Sequence, residues 1–257
     1  MYIQDKWTIK DSIEYEIKFS GRYGAKGEKR AKRIKATPEI IKRQNQKNRE
    51  KRMRRLIKAN FGEGDLWLTI KYPKGCRKPV EDVKKDLRRF CDSMRRKYRT
   101  YDEEFKFIYR LEIGKQGGIH THMIVNRIRG ADTQSLLQKS WKHGRINYES
   151  LDNGDYSELA AYIVKEPDEV VDKQLSFLPI EDRKEFVKYS TSRNLIRPTP
   201  ERKEFSRKTV RKLVLDGPQP TKGYYIVKNS IEIGVNPFTG MSFIHYTERQ
   251  IERINDG

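Results

Sequence analysis

The chain has 257 residues, enough for one large domain or for one domain with sizeable extensions. Lys and Arg number 56 against 36 Asp and Glu, which gives a net charge of +20, and hydrophobic residues make up only 35%. This excess favours a polyanionic partner over a merely solvated basic surface, because Lys and Arg neutralise phosphates and release counterions. The sequence has no apolar run of membrane-spanning length and no CxxC pair. We therefore expect a cytoplasmic protein with no membrane partner, disulfide framework or zinc ribbon.

The N-terminal part combines a strand with the most basic stretch of the chain. Alternating apolar residues predict a strand over Ile13–Phe19. Thr37, Pro38 and Glu39 are typical of a helix start, and a long polar helix is predicted from Ile40 to Ile57. A solvated charged face is one interpretation of this helix, and contact with a DNA backbone is the one we favour. The arginines predicted to bind DNA are Arg30, Arg33, Arg49, Arg52, Arg54 and Arg55, together with Arg193 near the C-terminal part.

The middle of the chain has the pattern of a sheet covered by helices. A strand is predicted over residues 65–72, and apolar residues spaced as on one helix face follow from Val80 to Met94. Residues 105–113 alternate strongly, residues 114–118 form a glycine-rich turn, and residues 119–126 are the returning strand. The aromatic side chains of the first of these strands could stack on bases, but core packing is the preferred interpretation for Phe105, Phe107 and Tyr109.

The remaining predicted elements are shorter. Helices are predicted over residues 132–142, with Asp132 as the cap, and over residues 155–166, ending before Pro167. A short strand is predicted at residues 145–148. A C-terminal hairpin is predicted within residues 223–246, with its turn at residues 236–240.

A possible metal site lies on the hairpin of residues 105–126. His120 and His122 are two residues apart on a strand, so both side chains point to the same face. Glu112, on the outgoing strand, falls opposite the region of His120. Two imidazole nitrogens and one carboxylate would suit Mg²⁺ or Mn²⁺ acting as a Lewis acid on a phosphodiester. A cross-strand salt bridge is the structural alternative for Glu112.

A metal that polarises a phosphate still needs a nucleophile, and the helix of residues 155–166 offers Tyr162. This tyrosine flanks the apolar stripe of the helix and shares the polar side with Lys165, which could stabilise a phenolate or orient a phosphate. Tyr156 is the competing nucleophile, but it lies at the helix start without a matching lysine. His143 is a helix cap or a phosphate contact, and His245 is structural.

Three motifs in this order resemble the HUH endonucleases, and within them the single-tyrosine rolling-circle replication initiators of plasmids, integrative elements and single-stranded-DNA phages. The first is the hydrophobic strand Leu66–Ile70, which contains Thr69. The second is Gly118–Met123, which holds both histidines and has Glu112 upstream as the third ligand. The third is the YxxK helix that holds Tyr162 and Lys165.

The resemblance implies both a fold and a reaction. The fold would be α+β, a ferredoxin- or RRM-like central antiparallel sheet flanked by helices, with His120 and His122 on its middle strand. Tyr162 would attack single-stranded or extruded origin DNA, become linked to the 5′-phosphate and release a 3′-OH primer. The reverse reaction would reseal the circle. A host helicase and a DNA polymerase would be the partners, because the chain has no phosphate-binding GxxxxGK[ST] loop.

The sequence thus predicts a basic N-terminal extension over residues 1–60, an HUH nicking core over 61–170 and a C-terminal extension over 171–257. Two alternatives stay open. One is a transposase or relaxase with the same chemistry, although relaxases usually place the tyrosine before the histidines. The other is a non-catalytic RRM-like nucleic-acid-binding module, which would not need the Glu112, His120, His122 and Tyr162 set.

Overall fold

The computed structural model describes residues 1–21, 32, 35–114, 117–152, 154–166, 173, 175, 176 and 178–251, apart from the side chains of residues 207 and 208. The chain divides into two compact units, one of residues 45–196 and one of residues 1–44 together with 197–257. The predicted boundaries at residues 61 and 170 differ from these. Each unit is built around its own antiparallel sheet.

The secondary structure alternates short strands and helices along most of the chain. In chain order the elements are β1 (Tyr2–Ile9), β2 (Ser12–Phe19), α1 (Pro38–Asn60), β3 (Leu66–Lys71), α2 (Val80–Arg99), β4 (Phe107–Ile113), β5 (Ile119–Val125), α3 (Thr133–Ser140), β6 (Arg145–Ser150), α4 (Ser157–Val164), α5 (Ile180–Val187), β7 (Tyr189–Thr191), β8 (Glu201–Phe205), α6 (Arg207–Asp216), β9 (Tyr224–Ile226), a 3₁₀ turn (Lys228–Ser230), β10 (Glu232–Asn236) and β11 (Met241–Gln250). The α+β class with an antiparallel sheet flanked by helices is therefore confirmed.

The sheet of the 45–196 unit has the strand order β6-β3-β5-β4-β7, with every pair antiparallel. Strand β5, which carries His120 and His122, is the middle strand. His122 lies opposite Thr69 on one side and Arg110 on the other, and His120 lies opposite Glu112. Because side chains alternate along a strand, all of these side chains belong to one face of the sheet.

Helix α2 covers the other face of this sheet. Its apolar residues recur at helical spacing, and Val83, Leu87, Phe90 and Met94 are all buried. They share one hydrophobic core with apolar residues of β3, β4 and β5, which point to this face. Burial of a side chain as large as Phe90 contributes about 2 kcal/mol, so this face is what fixes the sheet. Phe105 and Phe107 are in the same core, at 3% and 5% exposure, so they offer no stacking surface for bases.

The face that carries the histidines is only partly covered. The C-terminal half of α1 and helix α4 pack on it through a second core, which includes Met53, Ile57 and Ile163. These contact the apolar end of the face, at Ile108 and Ile124. The polar end, with the histidines and Glu112, therefore lies beside α4. Helix α1 begins as predicted, since the Ile40 amide donates to the Thr37 hydroxyl over 3.4 Å.

Helix α4 is shorter than the prediction at its C-terminal end. It ends at Val164, and Lys165 has an extended conformation with ψ of 132°. Pro167 disfavours helical geometry at residue 166. In addition, the guanidinium of Arg110 acts as a capping group and donates hydrogen bonds to carbonyl oxygens at the end of the helix. Lys165 thus follows the helix rather than lying on its face with Tyr162.

The second unit is a sheet that combines N-terminal and C-terminal strands. Its strand order is β10-β11-β2-β1-β8, and β9 pairs with β11. Tyr2, Ile17 and Ile244 lie in its core, which α6 completes through Val210. The predicted extensions therefore contribute to one sheet. The predicted C-terminal hairpin has its turn in place, but the strand before that turn is β10 and not residues 224–227.

Among the described residues, we find no helix both long and apolar enough to cross a lipid bilayer.

Candidate functional site

Glu112, His122 and Tyr162 meet at one point on the open face of the five-stranded sheet. The Nε2 atom of His122 lies 2.9 Å from Oε2 of Glu112, and the Tyr162 hydroxyl donates a hydrogen bond to the same oxygen. Strand pairing sets the first contact, and the position of Tyr162 in α4 sets the second. The bond to His122 lowers the pKa of Glu112 to about 2 against the effect of burial, and Tyr162 adds to the lowering. Glu112 is thus a carboxylate at neutral pH.

The ring of His122 is fixed by two residues of β3. The Thr69 hydroxyl lies 3.3 Å from Nδ1, and the Trp67 indole stacks on the imidazole with a centroid distance of 5.5 Å. With Nε2 donating to Glu112, Nδ1 accepts from the hydroxyl, and a hydroxyl can equally accept when the tautomer changes. Trp67 and Thr69 are the residues of the first motif that serve the site, which the sequence alone did not resolve.

His120 lies at the turn end of the same face. Its ring contacts Gly114, where an added Cβ would come within 2.9 Å of Cε1 and 3.3 Å of Nε2. Burial lowers the pKa of His120, and the charge of nearby Lys71 adds to the effect, so the imidazole is neutral and its nitrogen can act as a ligand. Within the part of the chain that the structure describes, no three His, Cys, Asp or Glu side chains stand close enough to hold a metal as they are placed.

Tyr162 is half-buried among aromatic rings. Its ring makes edge contacts with Trp67 and His122, with centroid distances of 5.7 and 5.2 Å. Burial raises the pKa of Tyr162, and its hydrogen bond to the charged Glu112 raises it further, whereas the charge of Arg110 acts in the opposite direction. The phenol is therefore neutral at rest, and it needs added positive charge nearby to become a nucleophile. The Lys165 side chain is exposed beyond the helix end.

Arg110 is the functional residue that sequence reasoning did not identify. It is 7% exposed, and its Nη1 donates to the carbonyl oxygens of Tyr162, Ile163 and Lys165 over 2.6, 3.2 and 3.1 Å. Its Cζ lies 5.9 Å from the centroid of the Tyr162 ring. One guanidinium thus ties the end of α4 to the sheet and places a positive charge beside the phenol. The available signal was an arginine between Ile108 and Glu112 on the predicted polar side of β4.

Replacing Arg110 by methionine is expected to lower the free energy of unfolding by about 3 kcal/mol, because buried carbonyl oxygens lose a charged donor. Urea denaturation measures this change. Arg110→Lys keeps the charge but cannot reach several carbonyls at once, so it should lie between the wild type and the methionine variant. Unchanged stability in Arg110→Met would show that the helix end does not depend on this residue.

The arginines predicted to bind DNA are spread over several settings. Arg30 and Arg33 lie outside the described residues. Arg49 bonds Glu166 over 3.3 Å, Arg52 bonds the Asn48 carbonyl, and Arg54 lies 3.9 Å from Asp155. Arg55 is only 7% exposed, so the prediction that it contacts a DNA backbone does not fit its position in the packed half of α1. Arg193 is exposed, after β7.

The two other histidines have structural partners. His143 Nε2 lies 3.3 Å from Asp86, a buried carboxylate that also accepts from Tyr72 and Lys78. His245 Nδ1 lies 3.2 Å from Glu232 across the β10–β11 pair. Tyr156, the competing nucleophile, precedes α4 and packs against the core behind it.

The segment that carries this site is similar to a known protein family. Residues 65–167 match a family model described as replication-associated protein ORF2, which is less than half of the chain but includes all of the site residues above. Comparison with curated proteins and with solved structures gave no match. The site-bearing segment is thus similar to the ORF2 family of replication-associated proteins, and this similarity supports a replication-associated function for the chain.

Proposed function

We propose that this protein is a rolling-circle replication initiator that nicks and rejoins single-stranded origin DNA through Tyr162. The observation that carries the proposal is the shared contact at Glu112, whose Oε2 binds both the Tyr162 hydroxyl and His122 Nε2. A tyrosine needed only for packing would not require its hydroxyl against the carboxylate of an HxH strand. The match to replication-associated proteins over residues 65–167 supports the biological setting.

The residues could perform the reaction in the following way. Tyr162 Oη attacks the scissile phosphorus, an Oη–P bond forms, and the P–O3′ bond breaks. The phenol gives up its proton, and the leaving 3′ oxygen gains one to become the 3′-OH primer. Glu112 Oε2 is the acceptor in contact with that phenol, and Arg110, beside the ring, stabilises the developing phenolate. Reversal of the same step reseals the strand without ATP.

A divalent cation, Mg²⁺ or Mn²⁺, fits the donors of this face. Glu112, His120 and His122 are one carboxylate and two imidazoles on a single face of two paired strands, and the pKa values of Glu112 and His120 are lowered, which favours the ligand forms. Thr69 would orient His122 from its other ring nitrogen. A cation there would polarise the scissile phosphate and offset the charge of Glu112.

The order of the motifs favours an initiator over a relaxase, since the tyrosine follows the histidines. The substrate would be single-stranded or extruded origin DNA, and a host helicase and polymerase would act on the product. A non-catalytic RRM-like module loses its main support, because Phe105 and Phe107 are buried and cannot stack on bases.

Incubation of the protein with a single-stranded oligonucleotide from its own origin and Mn²⁺ tests the proposal. A covalent adduct should form, carrying the 5′ end of the downstream fragment, and a chelator should prevent it. Denaturing gel electrophoresis with an oligonucleotide labelled at either end identifies the linked fragment. Absence of any adduct on the origin of its own element would refute nicking by this protein.

Gly114→Ala is expected to slow adduct formation without removing any ligand. The new methyl group would come within 2.9 Å of the His120 ring, so the imidazole must move from its place. A loss of roughly tenfold, in part restored by more Mn²⁺, is expected for a displaced ligand. Gly118→Ala is the matched control in the same turn, because a Cβ there meets no atom within 4 Å. Equal rates for the two variants would mean that the position of His120 is unimportant.

A further inference from the structure

A polar cavity of about 610 Å³ lies in the 45–196 unit, away from the site described above. Its walls come from three segments, the C-terminal half of α2, the connection from α2 to β4, and the residues that follow β7. Four arginines line it, namely Arg88, Arg95, Arg99 and Arg193. A concave surface with several arginines is suited to bind phosphate groups, because guanidinium donors match phosphate oxygens in pairs.

The arginines of α2 form one stripe along the helix. Arg88, Arg95 and Arg99 are separated by seven and four residues, which places them on the same side of the helix, with Asp92 between them. The apolar stripe that includes Leu87 faces the sheet, so the arginines project beside the core rather than into it. Arg89 and Arg96 are also exposed on this helix but do not line the cavity.

The acidic residues of the cavity are already engaged. Asp92 binds Arg95 over 2.5 Å, Glu103 accepts the Arg129 amide over 2.8 Å, and Glu104 accepts from Asn194 over 3.2 Å. Across the described part of the chain, the side chains of Arg88, Arg99 and Arg193 have no hydrogen-bond or ion-pair partner. Three arginines around one cavity are therefore available to an anionic ligand.

The cavity is separate from the nicking site. It lies near Phe105 and Phe107, where β4 begins, whereas Glu112 is at the other end of β4 and on the opposite face. Seven residues of extended strand from Phe105 to Glu112 span about 23 Å. Since phosphates on one strand of a duplex are about 3.4 Å apart, this distance corresponds to about seven nucleotides of a duplex.

We propose that this arginine cavity, defined by Arg88, Arg99 and Arg193, binds the phosphodiester backbone of DNA that flanks the cleaved strand. The proposal rests on the proposed function for its DNA substrate, but binding at the cavity does not depend on cleavage. The ligand chemistry is that of successive phosphates, and either single-stranded or duplex flanks could supply them. The cavity would hold the origin while Tyr162 acts at a distance.

The test compares Arg88→Ala/Arg99→Ala/Arg193→Ala with the control Arg89→Ala/Arg96→Ala, each in a Tyr162→Phe background that prevents covalent attachment. Affinity is measured by fluorescence anisotropy between about 50 mM and 200 mM salt. The probes are a short oligonucleotide around the scissile phosphate and longer ones with single-stranded or duplex flanks. For a longer probe, the triple variant should lose roughly tenfold or more in affinity, and its salt slope should fall by about two to three.

Affinity of the triple variant for the short probe should stay at the value of the Tyr162→Phe parent, and the longer probe that shows the loss identifies the flank. An equal loss in the control variant would show general charge attraction and overturn the proposal, as would equal loss on the short probe. Displacement of the longer DNA by dATP, from the cavity of the parent protein, would also overturn it and indicate a nucleotide site. If wild type binds as expected but forms no adduct, the proposed function fails and the cavity assignment stands.

Discussion

Replacing Tyr162 by phenylalanine is expected to abolish the covalent protein–DNA adduct, with a fall in cleavage rate of at least about 10⁴-fold. The substitution removes only the oxygen that binds Glu112 and keeps the ring against Trp67 and His122. Fold and DNA affinity should therefore be close to wild type. The adduct is measured on denaturing gels after incubation with the origin oligonucleotide and Mn²⁺.

Tyr156→Phe is the matched control, since Tyr156 lies one residue before the same helix and was the competing nucleophile. Its adduct yield should equal that of wild type. An adduct that persists in Tyr162→Phe and disappears in Tyr156→Phe would transfer the nucleophile to the other tyrosine. Lys165→Ala should have a smaller effect than either loss of nucleophile, because its side chain is exposed after the helix has ended.

The hairpin that carries the histidines could be predicted from sequence because its information is local. Alternation along β4 and β5 and the short turn between them fix which residues pair, and Glu112 does lie opposite His120. The predicted amphipathic helix from Val80 also matches α2, since a single face of apolar residues determines it.

Contacts between distant parts of the chain were not predictable in the same way. Arg110 binds the end of α4 more than 50 residues later, and a lone arginine in a strand does not indicate its partners. Strand β1 was hidden by buried charge, since Asp5 is 2% exposed and is satisfied by Lys18 and Arg202. A carboxylate that depends on an arginine almost 200 residues away carries no local sign that it belongs in a sheet.

The equivalence of the two histidines is also a result of reasoning from the strand alone. Alternation places His120 and His122 on one face and gives no reason to separate their roles. The structure does separate them, because His122 contacts Thr69, Trp67 and Tyr162, whereas His120 lies against the backbone of the turn at Gly114.

His122→Ala is accordingly expected to reduce cleavage by at least roughly 10²-fold and to resist rescue, because it removes both a metal donor and a ring that packs on Tyr162. His120→Ala should also lose cleavage, but excess Mn²⁺ should restore part of it, since the nucleophile keeps its contacts. Both variants should retain most of their salt-sensitive DNA binding, and His245→Ala, in the other unit, should cleave normally.

Calorimetric titration with Mn²⁺ measures the metal directly and separates this explanation from a role in recognition. Both site variants should bind Mn²⁺ more weakly than wild type, and His245→Ala should not. If DNA affinity falls as far as cleavage while Mn²⁺ binding is unchanged, the histidines recognise DNA and do not hold a metal. If Mn²⁺ rescues both variants equally, the packing of His122 on Tyr162 contributes nothing to the reaction, and the two histidines are equivalent ligands.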